Sequence, residues 1–115
     1  MSAKIYHNPR CTKSRLTLAI LEEKGVDFQI IKYLDDTPTA EEIKALLKDL
    51  DMDARTLMRT HEAPYKDNNL ADESLSEDDL IQAMVDNPIL IERPIVKTDK
   101  GTVIARPPEN VLAII

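Results

Sequence analysis

The chain contains one cysteine, Cys11, and its neighbours favour a reactive thiol. Arg10, Lys13 and Arg15 surround it with positive charge. A cationic environment stabilises the thiolate and lowers a thiol pKa from its free value of about 8.5. A lone cysteine is more often a buried structural residue, but polar and basic flanks are unlike those of a core position. We therefore interpret Cys11 as a candidate nucleophile, with a structural cysteine as the alternative.

The position of Cys11 between two predicted elements supports the same chemistry. Residues 3–7 are typical of a short strand, and residues 13–24 are predicted to be a helix. In the helix, apolar residues recur at helical spacing: Leu16, Ala19 and Ile20. The free N–H groups and the dipole at a helix N-terminus favour an anion. This turn can therefore hold either a thiolate or a bound oxyanion.

The length and composition indicate a globular domain without a metal or a membrane segment. A chain of 115 residues with 43% hydrophobic and 31% charged residues can bury a single core. It has no run of about 18 apolar residues and no apolar signal core, so we expect a cytoplasmic protein. One cysteine and two histidines are a poor ligand set, so we expect no metal.

Charge is distributed unevenly along the chain. The net charge is −6, but residues 33–92 carry five basic and sixteen acidic residues, a net charge of −11. The two ends of the chain are together net positive. An acidic protein is a poor candidate for nucleic-acid binding, whereas the basic ends could fold together around a small anion. We interpret the acidic middle as a solvated helical surface.

The order of predicted elements indicates an α/β protein with a thioredoxin-like fold. A β-α-β unit comes first, and a β-hairpin followed by a helix comes last. Helices predicted to start at Thr39, Asp53 and Ser76 lie between them and form a helical insertion at about 38–88. We therefore expect residues 1–115 to be a single thioredoxin-like domain. In that fold a proline, often in a cis peptide, faces the reactive cysteine, and Pro94 is placed for this role.

Three segments resemble the glutaredoxin-coupled arsenate reductase family: Tyr6-His7-Asn8-Pro9-Arg10-Cys11, Arg93-Pro94-Ile95-Val96 and Arg106-Pro107. The resemblance covers nearly the whole chain, in the same order and at compatible spacing. Arg10 before the cysteine, and the end of the chain at Ile115, are more similar to the short chromosomal branch of that family.

The resemblance implies a set of site residues. Cys11 corresponds to the family's nucleophile, and three arginines correspond to its oxyanion ligands: Arg59, Arg93 and Arg106. Guanidinium groups suit this role because they bind tetrahedral oxyanions through paired hydrogen bonds. His7 matches a catalytic histidine that tunes the thiol, although it could equally be a general acid or a strand-end residue with a satisfied ring.

Three further residues are expected to support the site. Asn8 is expected to shape the loop through its side chain, and Pro94 to face the cysteine. Ser14 has two interpretations: it donates a hydrogen bond to the thiolate, or it is simply a residue that favours the start of a helix.

The implied function is arsenate reduction. The Cys11 thiolate would attack arsenate and arsenite would be released, with glutathione as co-substrate, glutaredoxin as protein partner and no bound cofactor. Two alternatives stay open: a monothiol oxidoreductase acting on glutathione mixed disulfides, and a redox regulator similar to the Spx proteins. Spx proteins commonly carry a second cysteine where this chain has Ser14. Apolar positions are accounted for by helix and strand faces, so we expect a monomer.

Overall fold

The computed structural model describes residues 2–115, which form two compact units. One unit is built from the segment that ends at Asp36 and the segment that begins at Arg93, and the other is Thr37–Glu92. The first unit contains the cysteine loop and the sheet, and the second contains helices and an isolated β-bridge between Met58 and Ile91. The expectation that all 115 residues make one domain stays a prediction.

A four-stranded sheet organises the first unit. Its strands are β1 (Ser2–Tyr6), β2 (Asp27–Ile31), β3 (Ile95–Thr98) and β4 (Gly101–Ile104). The strand order is β2-β1-β3-β4. Strand β1 is parallel to β2 and antiparallel to β3, and β3 is antiparallel to β4. With the helices that follow β1 and β4, this is the predicted thioredoxin-like α/β fold.

Helix α1 (Thr12–Glu23) connects β1 to β2. It begins directly after Cys11, which makes the cysteine its N-cap residue. It ends where Gly25 adopts a φ of 66°, a left-handed conformation that glycine takes without the steric cost of a Cβ. The helix predicted from the sequence at residues 13–24 agrees with both ends of α1 to within one residue.

The buried face of α1 differs from the apolar spacing seen in the sequence. Leu16 is 50% exposed, and the buried residues of the helix are Ser14, Thr17 and Leu21. Thr17 can be buried because its hydroxyl donates to the carbonyl oxygen of Lys13 at 2.8 Å. A buried hydroxyl that is hydrogen-bonded costs little, so polarity alone did not identify the inner face of this helix.

The core of the first unit lies against the sheet and α1. Its fully or nearly fully buried members are Ala3, Ile5, Leu21, Val96, Ala105, Val111 and Ile114. The last two belong to a 3-10 helix, Pro108–Ile114, whose three-residue period places both on its inner side. The β3–β4 turn passes close to this helix, because a Cβ at Gly101 would lie 3.2 Å from the Ile114 side chain.

Thr37–Glu92 forms a helical unit. Its helices are α2 (Ala40–Leu50), α3 (Ala54–Leu57), α4 (Ala63–Asp67) and α5 (Glu77–Asp86), followed by a 3-10 helix at Pro88–Leu90. Helix α2 begins as predicted, since Thr39 Oγ1 accepts from the Glu42 amide at 3.2 Å. Helix α4 was not predicted, although Pro64 in its first turn is a signal for a helix start.

The two long helices of this unit bury their apolar faces against each other. The buried residues are Ile43, Leu46 and Leu47 of α2 and Leu80, Ile81 and Met84 of α5. Ser76 and Asp79 exchange hydrogen bonds in a capping box at the start of α5, as the sequence position of Ser76 suggested. Among residues 2–115, no helix has the length and apolar content needed to cross a bilayer.

Candidate active site

The loop that carries Cys11 starts at the end of β1. The His7 amide donates to the Ile31 carbonyl oxygen at 2.8 Å, which extends the β1–β2 pairing past Tyr6. The Cys11 amide then donates to the Asn8 carbonyl oxygen at 3.0 Å, and Asn8 Oδ1 accepts from the Arg10 amide at 3.0 Å. Backbone and side chain of Asn8 therefore both hold the turn that presents Cys11.

A buried polar cluster lies beneath this turn. Ser14 is completely buried, and its Oγ lies 2.7 Å from His7 Nδ1. The same Oγ accepts from the Asn8 amide at 3.1 Å. The Ser14 hydroxyl therefore connects the first turn of α1 to the start of the cysteine loop. Ser14 lies in the first turn of α1, in keeping with its interpretation as a helix-start residue, and its role toward the thiolate stays a prediction.

The environment of His7 favours the neutral form of its ring. Burial, followed by repulsion from Lys32 and then from Arg15, lowers the pKa of His7 below its usual value. A neutral imidazole exchanges a hydrogen bond with Ser14 and adds no positive charge beside the thiol. The catalytic role of His7 stays a prediction.

The thiol of Cys11 lies in an environment that favours the thiolate. Burial by itself raises the pKa of Cys11, but the amide of Ser14, the guanidinium of Arg93 and the amide of Lys13 together lower it below the usual value. Arg93 acts both through a hydrogen bond to the sulfur and through its charge. The amides of Ser14 and Lys13 belong to the first turn of α1, where free N–H groups favour an anion.

Arg106 approaches the same sulfur from the segment after β4. Its Nη1 lies 4.0 Å from Cys11 Sγ and donates to the Arg93 carbonyl oxygen at 3.2 Å. The peptides Arg93–Pro94 and Arg106–Pro107 are both cis, and Pro94 is completely buried. Two guanidinium groups and a helix N-terminus thus surround one thiol, an arrangement that suits a tetrahedral oxyanion.

Arg59 belongs to the helical unit and has its own partners there. Its Nη1 donates to Glu92 at 2.7 Å, its Nε donates to Glu62 at 3.2 Å, and its Nη2 lies 3.1 Å from His61 Nε2. Burial lowers the pKa of Arg59, but the two carboxylates outweigh it and raise the pKa. The role of Arg59 as an oxyanion ligand stays a prediction.

The structure brings together most of the residues expected at the site. Those of the first unit are Cys11, His7, Asn8, Ser14, Arg93, Pro94 and Arg106. Sequence reasoning missed Lys32, which lowers the pKa of His7. The signal was available, because Lys32 directly follows β2, and the carboxyl ends of the parallel strands β1 and β2 meet at one edge of the sheet. Within residues 2–115, no cluster of three His, Cys, Asp or Glu side chains could hold a metal ion.

Comparisons with known proteins agree with this architecture. The chain is 57% identical over 113 residues to the Escherichia coli K12 protein named uncharacterized protein YfgD, covering 97% of this chain and 95% of that one. It is 42% identical over 113 residues to a protein of Neisseria meningitidis named arsenate reductase, covering 97% of each. A solved structure titled arsenate reductase from Vibrio cholerae superposes with a TM-score of 0.96 at 50% identity, covering 100% of this chain and 98% of that one. Residues 6–114 match the ArsC family, and the chain belongs to that family.

Proposed function

We propose that this protein is an arsenate reductase that uses glutathione and glutaredoxin as the source of electrons. The observation that carries the proposal is the position of Arg106 Nη1, 4.0 Å from Cys11 Sγ, and the Arg93 guanidinium also lowers the pKa of this thiol. Guanidinium groups bind oxyanions through paired hydrogen bonds, and a disulfide substrate has no oxyanion for them to bind. The names of the ArsC relatives point in the same direction.

The first step is a substitution at arsenic. Arsenate docks against Arg93, Arg106 and the amides at the start of α1, and Arg59 is proposed as a third ligand. The Cys11 thiolate attacks arsenic, an S–As bond forms and an As–O bond breaks. The leaving oxygen takes up protons and departs as water. No electrons move to arsenic in this step, so the adduct still holds arsenic(V).

External thiols complete the reaction, because the chain has no second cysteine. Glutathione replaces another oxygen of the adduct, which leaves as water, and arsenic then carries two sulfurs. A glutaredoxin thiolate attacks the glutathione sulfur, a disulfide forms between them, and two electrons pass to arsenic. Water then cleaves the Cys11–arsenic bond, which releases arsenite and regenerates the Cys11 thiolate.

The arginines supply the sharpest test of this function. Arg93→Lys and Arg106→Lys keep the positive charge and lose the planar fork. A charge-assisted bidentate contact contributes about 1.5–3 kcal/mol, so kcat/KM for arsenate should fall roughly 10- to 100-fold in each. The measurement is arsenate-dependent NADPH oxidation, coupled through glutathione reductase, with glutathione and glutaredoxin in excess. Cys11→Ser should abolish turnover.

Arg55→Lys is the matched control. Arg55 belongs to the helical unit, where its guanidinium binds Tyr65 Oη at 3.0 Å, the Leu70 carbonyl oxygen at 2.7 Å and the Asp72 carbonyl oxygen at 3.2 Å. Its loss should lower stability and leave kcat/KM per folded protein unchanged. Equal, small kinetic effects at positions 55, 93 and 106 would reject the oxyanion site. Activity on glutathione mixed disulfides without arsenate turnover would favour the oxidoreductase alternative.

A further inference from the structure

A pocket of about 410 Å³ opens beside the loop that carries Cys11, and neither Arg93 nor Arg106 lines it. Four consecutive loop residues form one wall, and the segment after β2 forms the other. The lining residues are His7, Asn8, Pro9, Arg10, Lys32, Leu34 and Asp35. The oxyanion site described above uses none of the charged side chains in this pocket.

The charged side chains of the pocket are available to a ligand. Arg10, Lys32 and Asp35 are all exposed. The ion pairs found within residues 2–115 are Lys44–Asp78, Arg59–Glu62 and Arg59–Glu92, so none of the three takes part in one. The pocket therefore presents two cations and one anion, and Leu34 adds an apolar surface to its lining.

We propose that this pocket binds glutathione and delivers its thiol to the arsenic carried by Cys11. Glutathione has two carboxylates and one ammonium group at neutral pH, which is the reverse of the charges that the pocket presents. The pocket also falls within the range of about 300–1,000 Å³ that is usual for small-ligand sites. This assignment rests on the proposed function, in which an external thiol must reach the Cys11 adduct.

The four loop residues that line the pocket directly precede Cys11 in the chain. Arg10 is covalently bonded to Cys11, and consecutive Cα atoms are about 3.8 Å apart. The thiol of glutathione lies on its central residue, between its charged ends. In the proposed complex, Arg10 and Lys32 bind the two carboxylates of glutathione, and Asp35 binds its ammonium group. The thiol then lies in the pocket, beside the loop that carries Cys11.

The bound thiol reacts without an additional oxidant. Its sulfur forms a bond to the arsenic(V) on Cys11 while an As–O bond breaks. The thiol proton and one further proton leave with that oxygen as water, so no electron pair is transferred until glutaredoxin acts. The pocket raises the local concentration of the thiol for this substitution.

Binding tests the pocket independently of turnover. The probe is S-methylglutathione, which cannot form a disulfide, titrated into the full chain while amide resonances are followed by NMR. We expect shifts at residues 8–10 and 32–35, and a dissociation constant that Lys32→Glu raises about tenfold or more. Asp35→Lys should weaken binding similarly. Lys100→Glu is the matched control, because Lys100 lies in the β3–β4 turn and does not line the pocket, and it should bind as the wild type does.

Kinetics separate this inference from the proposed function. With saturating arsenate, Lys32→Glu should raise the KM for glutathione about tenfold. With 2-mercaptoethanol, Lys32→Glu should leave the KM for the thiol unchanged, because this thiol has no carboxylate for Lys32 to bind. The pocket would be wrong if arsenate is turned over and the KM for glutathione is the same in Lys32→Glu and the wild type, or if the probe shifts only resonances in other regions. Neither result would contradict the proposed reductase. Probe binding in the pocket without any arsenate turnover would support the pocket and overturn the reductase.

Discussion

At the scale of single residues, the site is defined by what faces the sulfur of Cys11. Burial opposes ionisation of the thiol, while the Ser14 amide and the Arg93 guanidinium favour it and prevail. The lowered pKa raises the thiolate fraction of Cys11 at a given pH relative to a thiol with the usual pKa. The alternative of an inert structural cysteine does not fit this environment.

Alkylation measures this pKa directly. The rate at which iodoacetamide modifies Cys11 follows the thiolate fraction, so its pH midpoint should lie below the value of about 8.5 for a free thiol. The rate should therefore stay high as pH falls through the range in which free cysteine loses reactivity. Arg93→Gln, which removes one stabilising charge, should move the midpoint upward. A midpoint at or above that of free cysteine would contradict the proposed environment.

Ser14 is the residue whose side chain links the loop to α1. Ser14→Ala removes the acceptor for the buried Asn8 amide and the partner of His7 Nδ1. A buried group left without its hydrogen bond costs about 1–3 kcal/mol, so the free energy of unfolding in urea should fall by that amount. Ser74→Ala is the control, since Ser74 is exposed and its change should cost less than about 0.5 kcal/mol. Equal losses in the two variants would show that the buried cluster is not stabilising.

At the scale of elements, helix starts depend on short-range chemistry that the sequence displays. Ser76 Oγ caps α5 by accepting from the Asp79 amide at 3.1 Å, and Asp79 Oδ2 accepts from the Ser76 amide at 3.0 Å. Glu77, Asp78 and Asp79 add negative charge to the first turn, which the helix dipole favours. The cap therefore contributes to stability through both hydrogen bonding and charge.

Removing this cap should be measurable. Ser76→Ala should lower the free energy of unfolding by about 0.5–2 kcal/mol, because the Asp79 amide loses its acceptor. Thr39→Ala, which removes the single cap bond of α2, is the parallel variant and should fall in the same range. Neither change touches the cysteine loop, so the alkylation midpoint of Cys11 should stay the same in both. A shifted midpoint would contradict that separation.

At the scale of the whole molecule, a net charge of −6 works against anion binding in general. Any oxyanion must therefore be bound by a local site that overcomes this field. The acidic residues are concentrated in Thr37–Glu92, whereas the segments that contain Cys11, Arg93 and Arg106 are net positive. This segregation allows an acidic protein to hold an oxyanion.

Oxyanion binding should appear as thermal stabilisation. Phosphate or arsenate at concentrations well above its Kd should raise Tm relative to chloride at equal ionic strength, because a ligand of the native state stabilises it. The increase should be smaller in Arg93→Lys and unchanged in Arg55→Lys, measured relative to each variant without ligand. A Tm increase of the same size in all three proteins would indicate general salt effects and not a site.

The sequence by itself determined the features that depend on neighbours in the chain. Strand and helix periodicity gave the element order, Gly25 and Ser76 marked helix boundaries, and Cys11 was placed at the start of α1, because capping and hydrophobic spacing act over a few residues. The family resemblance supplied the distant arginines, which no local rule could have selected.

Only the tertiary structure decided which side chains meet. The contact between Arg106 and Cys11 spans 95 residues of sequence. The Ser14 side chain lies against His7 in the loop. Lys32 and His7 line the same pocket, which is the one proposed for glutathione. Such contacts depend on how strands pair and which helix face is buried, and several arrangements satisfy the same local pattern. The free energy of packing the whole chain selects among them.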